Sequence, residues 1–188
     1  AQEVYTSSGK AGYHKKTKRE KGYDPSKLVV GGGLNGYYST GNALAGISPM
    51  VGYNFFHNFT AGVGLGYLYY QYYVFTLGSK DYSVKERIIY PNLWARYIVW
   101  RGLYVTETLE HDFIKYTAPA NDPNNPSNVI YQKENLTADC LLLGAGIKQP
   151  LGGRVSFFVE LSHDFLNSTY SPYANQPLII HAGVCAGF

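Results

Sequence analysis

The stretch that decides the fold is His181–Phe188, HAGVCAGF, because its side chains alternate between two kinds of surface. The even positions before the terminal Phe188 are apolar: Ala182, Val184 and Ala186. The odd positions carry small or polar residues: His181, Gly183, Cys185 and Gly187. Neighbouring side chains of a β-strand point to opposite faces, so this stretch predicts a strand with one apolar face and one face suited to a crowded interior.

The same alternation recurs upstream and divides the chain into eight segments. In one of them, Val63, Leu65 and Tyr67 alternate with Gly62, Gly64 and Gly66. The segments run over 27–38, 44–54, 59–76, 83–98, 102–116, 138–149, 155–168 and 177–188. Most of them are about as long as a tilted strand that crosses a bilayer.

The connections between the segments alternate in length. Tight turns are predicted at 55–58, 100–101 and 150–153. Longer loops are predicted at 39–43, 77–82, 117–137 and 169–176. Short turns on one side and long loops on the other are typical of transmembrane barrels. The sequence therefore predicts an all-β fold, an eight-stranded antiparallel up-and-down transmembrane β-barrel over residues 27–188, with both ends on the same side.

The composition agrees with strands that face lipid. Residues 28–79 contain no Lys, Arg, Asp or Glu, and Tyr is the most frequent aromatic residue with 19 copies. Amphipathic rings such as Tyr favour membrane interfaces, and no run of 18 apolar residues predicts a membrane-spanning helix. A Tyr-rich soluble sandwich is the alternative. A soluble lipid-carrying barrel would place its apolar residues inside, the reverse of the predicted pattern.

Residues 1–26 form a separate basic arm without an apolar period. The basic residues expected to dock the arm onto an acidic partner or anionic headgroups are Lys15, Lys16, Lys18, Arg19 and Lys21. A solubilising tail is the alternative interpretation. Because the positive charge belongs to the arm, the basic balance of the chain does not predict a nucleic-acid partner. The start at Ala1, without Met, is expected to follow removal of a signal peptide.

Six ionisable residues are predicted to point into the barrel: Arg96, Glu110, Asp112, Lys148, Glu160 and Asp164. Isolated buried charges are costly, so we expect a salt-bridge network in which Arg96 pairs with Glu160 or Glu110. A path for protons or ions is the alternative. An eight-stranded barrel has an interior just wide enough for side chains, which argues against a general diffusion pore.

Two segments end in the related motifs LEHDF, residues 109–113, and LSHDF, residues 161–165. Adjacent His and Asp resemble a catalytic dyad, but neighbours on a strand face opposite sides and no nucleophile shares the face of either His. We therefore expect no catalytic residues, no metal site and no cofactor. Cys140 and Cys185 are predicted to lie too far apart along the barrel to form a disulfide.

The polar connections offer contact residues as well. Residues 118–132 are rich in Asn and Pro, and Tyr170 and Tyr173 stand beside turn residues. Such loops suit binding of glycans or proteins, and they are equally typical of ordinary turns.

The eight segments, the unequal connections and the terminal Phe188 make residues 27–188 resemble the small OmpA/OmpX-type outer-membrane barrels. The motifs YTSSGKAGYHKK, LWARYIVW and LEHDFIKY resemble uncharacterised members from the Bacteroidota. The resemblance implies a place in the outer membrane of a Gram-negative bacterium with periplasmic termini. It also implies that Gly183 and Phe188 belong to a signal read by the outer-membrane assembly machinery.

These observations together predict a non-enzymatic barrel that acts as a structural or accessory subunit. Its expected surroundings are outer-membrane lipids and a larger secretion, assembly or uptake complex. The alternative is a barrel enzyme that modifies lipid A or phospholipids. An assay of the solubilised protein for lipid deacylation or acyl transfer separates these two functions.

Overall fold

The protein forms a closed barrel of eight antiparallel strands in a computed structural model that describes residues 24–39, 42–123, 125–174 and 178–187. The strands are β1 (Leu28–Ser39), β2 (Asn42–Phe56), β3 (Phe59–Leu77), β4 (Lys80–Trp100), β5 (Leu103–Asp122), β6 (Asn125–Gly152), β7 (Val155–Asp164) and β8 (Ile179–Ala186). Each strand pairs with the next along the chain, and β8 pairs with β1. The predicted eight-stranded up-and-down architecture is therefore confirmed.

Helical structure is nearly absent from the described residues. A single 3₁₀ turn, Pro25–Lys27, precedes β1, and Asp24 caps it by accepting a hydrogen bond from the Ser26 backbone N–H. No helix in the described ranges is long and apolar enough to span a bilayer.

The predicted alternation separates the interior from the outer surface. Along β5, Thr106, Glu110 and Asp112 are buried, whereas Val105 and Leu109 are exposed. Strand β7 repeats the pattern over its whole length. Polar and small side chains thus share the interior with a limited set of buried rings and aliphatic side chains, and most of the large exposed apolar side chains cover the outside.

The connections at one end of the barrel are as predicted, and those at the other end differ from the prediction. The turns after β2, β4 and β6 are short, and the turn after β4 uses positive φ angles at Arg101 and Gly102. At the opposite end, however, the predicted loops at 77–82 and 117–137 are largely strand. Strands β3 and β4 are joined by only two residues, Gly78 and Ser79.

The predicted loop at 117–137 is wrong for a physical reason. Strands β5 and β6 remain paired from Thr117↔Lys133 to Asn121↔Val129, with a β-ribbon continuing to the tip. The Asn- and Pro-rich sequence favours a turn, but Val129, Ile130 and Tyr131 are strong β-formers that extend the pairing. Strand β7 is conversely shorter than predicted, since it ends at Asp164 rather than at 168.

Large rings inside the barrel are accommodated by glycines on the neighbouring strand. The direct cross-strand partners are Gly62↔Trp94, Gly66↔Tyr90, Tyr104↔Gly146 and Phe158↔Gly183. A Cβ placed on Gly62 would lie 2.7 Å from the Trp94 ring and collide with the carbonyl oxygen of Val51. The narrow interior therefore holds one ring or one side chain at each such position, but not two.

The base of the barrel is closed by contacts that join the first and last strands to the turns. The side-chain amide of Asn54 donates to the Gly187 carbonyl at 2.8 Å, and the Gly187 N–H donates to the Arg154 carbonyl at 2.9 Å. The Arg154 guanidinium in turn donates to the carbonyl of Ser26. Both ends of the described barrel thus lie beside the short turns.

Substituting Gly62 with Val should prevent proper folding, because the added side chain would displace both the Trp94 ring and the β2 backbone. Overpacking of this kind costs about 1–3 kcal/mol or more. The folded fraction can be measured by the heat-dependent mobility of the barrel on SDS gels. The matched variant Ala61→Val, one residue away on the outer face, should fold normally. Normal folding of Gly62→Val would contradict the ring–glycine packing.

Candidate functional site

The lower interior of the barrel is organised around Arg96. Its guanidinium carbon lies 4.5 Å from the ring centroid of Phe158, 5.1 Å from that of Trp94 and 5.2 Å from that of Tyr104. Each of these three rings lies opposite a glycine on the neighbouring strand, which leaves room for it in the interior. Cation–π attraction is strongest where water is excluded, and Arg96 is only 6% exposed.

Arg96 is held by Glu160. The Nη2 atom of Arg96 donates to Oε2 of Glu160 at 3.0 Å, and the Tyr104 hydroxyl donates to the same oxygen at 3.2 Å. On the other side, Nδ1 of His181 lies 3.9 Å from Oε1 of Glu160. One carboxylate thus has three polar neighbours on three different strands, and the pair predicted from the sequence is present.

The upper interior holds a second group, in which buried carboxyl groups contact hydroxyl and thiol groups instead of basic side chains. Tyr173 donates to Glu110 at 3.0 Å, and Ser171 donates to Asp164 at 2.8 Å. The thiol of Cys140 donates to Asp112 at 3.3 Å. Ser171 and Tyr173 belong to the segment after β7, so this segment folds into the mouth of the barrel and covers the acidic residues.

Backbone groups hold Asp164 in place. Its Oδ1 atom accepts hydrogen bonds from the N–H groups of Leu141 at 3.2 Å and Leu166 at 3.1 Å. The Tyr173 N–H in turn donates to Oγ of Ser171 at 3.2 Å. The covering segment is therefore anchored at its start by Asp164 and at its middle by Ser171.

Five of the six predicted interior charges therefore form two groups rather than one network. Arg96 and Glu160 form the lower group, while Glu110, Asp112 and Asp164 lie higher. Lys148 is half-buried near the short-turn end of β6, eight residues beyond Cys140, and does not join the upper acids. The expectation of a single salt-bridge network is wrong because hydroxyl donors from the covering segment replace basic side chains at the upper level.

Sequence reasoning placed His181 on the inner face but did not assign it a role, and it missed the contributions of Tyr104, Ser171 and Tyr173. The inward position of Tyr104 follows from the alternation of β5 and was therefore predictable from the sequence. Ser171 and Tyr173 lie outside any strand, so no periodicity indicates that they turn inward.

The interior between the two groups leaves little free space. A cavity of about 60 Å³ lies beside Arg96, Glu110 and Glu160. This volume suits a few water molecules at most. The described part of the chain contains no cluster of three His, Cys, Asp or Glu residues arranged to hold a metal ion.

The outer face carries polar residues on β5 and β6. Nδ1 of His111 lies 2.5 Å from Oδ1 of Asp139, and the His111 ring packs edge-on against Phe113 at 4.7 Å. His163 makes the same ring contact with Phe165 at 5.2 Å. The hydroxyl of Ser168 donates to the backbone carbonyl of Asp139 at 3.0 Å. The structure thus brings His111 together with an acid that sequence reasoning did not select.

Glu107 is a further polar residue on the outer face of β5. It is exposed, and its neighbours across the sheet are Ala95 on β4 and Leu143 on β6. A shallow depression of about 340 Å³ runs beside it, bounded by Phe59, Tyr97 and Val105 among others.

The remaining predicted residues divide by position. Cys140 and Cys185 are free and buried, as predicted. Gly183 faces the Phe158 ring, so packing alone requires a glycine there. Phe188 lies outside the described residues, as do the arm residues Lys15, Lys16, Lys18, Arg19 and Lys21.

The fold and its interior define a small closed antiparallel barrel whose lower interior is filled by side chains. No family model matches the sequence, and no curated protein matches it. The chain is similar to the crystal structure of Neisserial surface protein A. The identity is 12%, the match covers 86% of this chain and 95% of that one, and the TM-score is 0.36.

Replacing Arg96 with Met should lower the free energy of unfolding by about 3–5 kcal/mol, because Glu160 would remain buried without its cation. A urea titration of the folded barrel in detergent measures this change. The double variant Arg96→Met with Glu160→Gln should recover part of the loss. Arg101→Met, at an exposed turn, should change the value by about 0.5 kcal/mol or less. Wild-type stability of Arg96→Met would show that the pair is dispensable.

Replacing Tyr173 with Ala should loosen the covering segment and expose Cys140, since Tyr173 packs against the Cys140 cluster and bonds to Glu110. Leaving the buried Glu110 carboxyl without this partner costs about 1–3 kcal/mol, so maleimide labelling of Cys140 should accelerate by about tenfold. Cys185 serves as an internal control, because it is buried far from this segment. Equal acceleration at both thiols would indicate global loosening instead.

Proposed function

We propose that the protein is an integral outer-membrane barrel of a Gram-negative bacterium, of the Bacteroidota, with both termini in the periplasm. In this proposal it acts without catalysis, as a structural or accessory subunit of a larger outer-membrane secretion, assembly or uptake complex.

The membrane placement is supported by a band of exposed apolar side chains on the outer surface. It includes Val30, Leu34, Ile47, Val51, Val63, Leu65, Ile89, Leu93, Val105, Leu109, Ile147, Leu161, Ile180 and Val184. On β4 the outward residues from Tyr97 to Ile89 carry no charge, and Arg87 ends the run. Strand rise and tilt give this run a height of about 20 Å, which approaches the height of about 25 Å of the apolar band in outer-membrane barrels.

Aromatic residues mark the edges of the band. Phe55, Phe56 and Trp100 are exposed near the short turns, and Phe113 and Phe165 are exposed toward the other end. Aromatic girdles at both interfaces are typical of such barrels. In this proposal the short turns face the periplasm, and the basic arm would lie on the same side.

The filled lower interior supports a role other than a pore. Arg96, its three rings and Glu160 occupy the cross-section, and the covering segment occupies the mouth. A barrel with a filled cross-section is well suited to anchoring and recognition.

The observation that carries the role as a subunit is Glu107. It lies in the middle of the apolar run on β5, between Val105 and Leu109, and it is exposed. A charged group on a lipid-facing surface is unfavourable, by about 2–4 kcal/mol for Lys or Arg at the midplane and by less for Glu. A neighbouring membrane protein with a basic or hydrogen-bond-donating side chain at this depth would remove that cost.

The surroundings of Glu107 fit a protein contact. The depression beside it is bounded partly by small residues, Ala95 and Gly144, which let another backbone approach closely. His111 on β5 and Asp139 on β6 extend the polar surface along these two strands. The basic arm would add a second contact, on the periplasmic side, to an acidic partner or anionic headgroups.

A lipid-modifying enzyme is the second candidate, and the His111–Asp139 pair favours it. An imidazole oriented by a carboxylate is two-thirds of a catalytic triad. The hydroxyl of Ser168 donates to the backbone carbonyl of Asp139 and is not directed at the imidazole of His111. The pair is therefore better explained as an interfacial anchor, and an acyl-transfer assay of the solubilised protein separates the two functions.

Replacing Glu107 with Leu should leave membrane insertion and heat-dependent gel mobility intact while abolishing association with the partner. The measurement is quantitative co-purification from native membranes in mild detergent. Thr137→Leu, another exposed polar position on the outer face of β6, is the matched control and should retain the same companions. Unchanged companions in Glu107→Leu would exclude this surface, and recovery of the protein in the soluble fraction would contradict the membrane placement itself.

A further inference from the structure

The seam between β1 and β8 is paired over only part of its height. The pairing runs from Val30↔Ala186 to Gly33↔Gly183. Beyond this point β1 remains paired with β2 as far as Ser39↔Asn42, and β8 remains paired with β7 as far as Ser162↔Ile179. Within the described residues, Leu34 and Ala182 therefore face each other across a part of the wall that has no ladder.

A cavity of about 860 Å³ lies at this gap. Its lining includes inward-facing residues of β2, β3 and β4, such as Leu44, Leu68 and Ile88. It also includes Leu34 and Ile180, which are 76% and 63% exposed on the outer surface. A cavity lined by both faces of the sheet passes through the wall, so it connects the upper interior sideways with the surroundings of the barrel.

The cavity changes in polarity along its height. Its lower part is formed by Leu68, Ile88 and Tyr90, which belong to one buried apolar cluster, with Leu44 packed against it. Above the cross-strand pair Leu68↔Ile88, the next inward pair is Tyr70↔Glu86. Tyr72 lies above Tyr70 on the same strand. The floor thus presents the aliphatic side chains of Leu68 and Ile88 with the Tyr90 ring below them, while the rim carries further phenol groups and a carboxylate.

The other wall is made by residues 171–174 of the covering segment and by β8. Tyr173 is fixed there by its hydrogen bond to Glu110, and His181 lies between this cavity and the Arg96–Glu160 pair. The cavity is therefore bounded below by the filled interior, and the gap offers it a lateral entrance. Its volume falls in the range of about 300–1,000 Å³ that small-molecule sites occupy.

We propose that this cavity binds the hydrocarbon chain of an amphiphile that enters sideways from the membrane between β1 and β8. The chain would lie on the floor formed by Leu68 and Ile88, and a hydroxylated or cationic head would reach Tyr70, Tyr72 and Glu86 at the rim. Leu34, Leu178 and Ile180 line the entrance with apolar surface, which suits a chain coming from lipid rather than a solute coming from water. The inference rests on the membrane placement proposed above.

Photolabelling tests the proposal. The full chain is reconstituted into phosphatidylethanolamine vesicles that contain a phospholipid with a diazirine near the end of one acyl chain. A parallel arm uses a free fatty acid with the same diazirine. After irradiation, the labelled residues are mapped by peptide mass spectrometry. We expect label on the inward residues Leu68 and Ile88 in addition to label on outward residues such as Leu93.

Variants at the entrance give the second measurement. Leu34→Trp combined with Ile180→Trp should narrow the gap and reduce the inward label several-fold. Leu93→Trp, an outward position on β4 that is paired on both sides, should leave the inward label unchanged. All three positions are exposed on the outer face, and heat-dependent gel mobility verifies that each variant folds.

The outcomes separate this inference from the membrane proposal. Inward label in the phospholipid arm identifies a membrane lipid chain as the occupant, and inward label in the fatty-acid arm alone identifies a free amphiphile. Outward label without inward label, in protein that floats with the vesicles, overturns the cavity proposal and leaves the membrane placement standing. Inward label that the entrance variants do not reduce overturns the lateral route. Protein that does not float with the vesicles overturns both.

Discussion

The width of an eight-stranded barrel is the constraint on which the other features depend. Its cross-section accepts one large side chain at a given level, and the pairs of Trp94 with Gly62 and Tyr104 with Gly146 satisfy that limit. The rings then enclose Arg96, and the enclosed cation in turn fixes Glu160. The glycines that look like flexible positions in the sequence are therefore the positions with the least freedom to change.

The same limit explains why the two halves of the interior differ. Below, Phe158, Trp94 and Tyr104 fill the space and leave room for a single ion pair. Above, β7 and β8 are short, so a segment without secondary structure takes their place and supplies hydroxyl groups to the buried acids. This exchange of strand for loop also leaves the large cavity at the upper seam. The polar upper interior and the lateral gap therefore both result from the shortness of β7 and β8.

The fold was predictable from the sequence because period-two alternation is a local property that does not depend on tertiary contacts. The inward placement of Arg96, Glu110 and Glu160 followed from counting alone. The height to which a ribbon extends beyond the barrel was not predictable. Pairing between Thr117 and Lys133 depends on a register set many residues below, and Asn- and Pro-rich composition points the other way. The roles of Ser171 and Tyr173 depend on a loop path, for which the sequence has no periodic signal.

The short ladder between β1 and β8 also has a consequence for how the barrel assembles. Every other pair of adjacent strands is joined by a connection within the chain, whereas Val30 and Ala186 must meet across nearly the whole barrel sequence. Loop-closure entropy opposes that encounter, and only the few residue pairs of the β1–β8 ladder offset this cost. Non-local pairings of this kind are slow to form. Ring closure should thus be the last step of folding, and the base contacts of Asn54 and Arg154 hold the completed barrel shut after it has occurred.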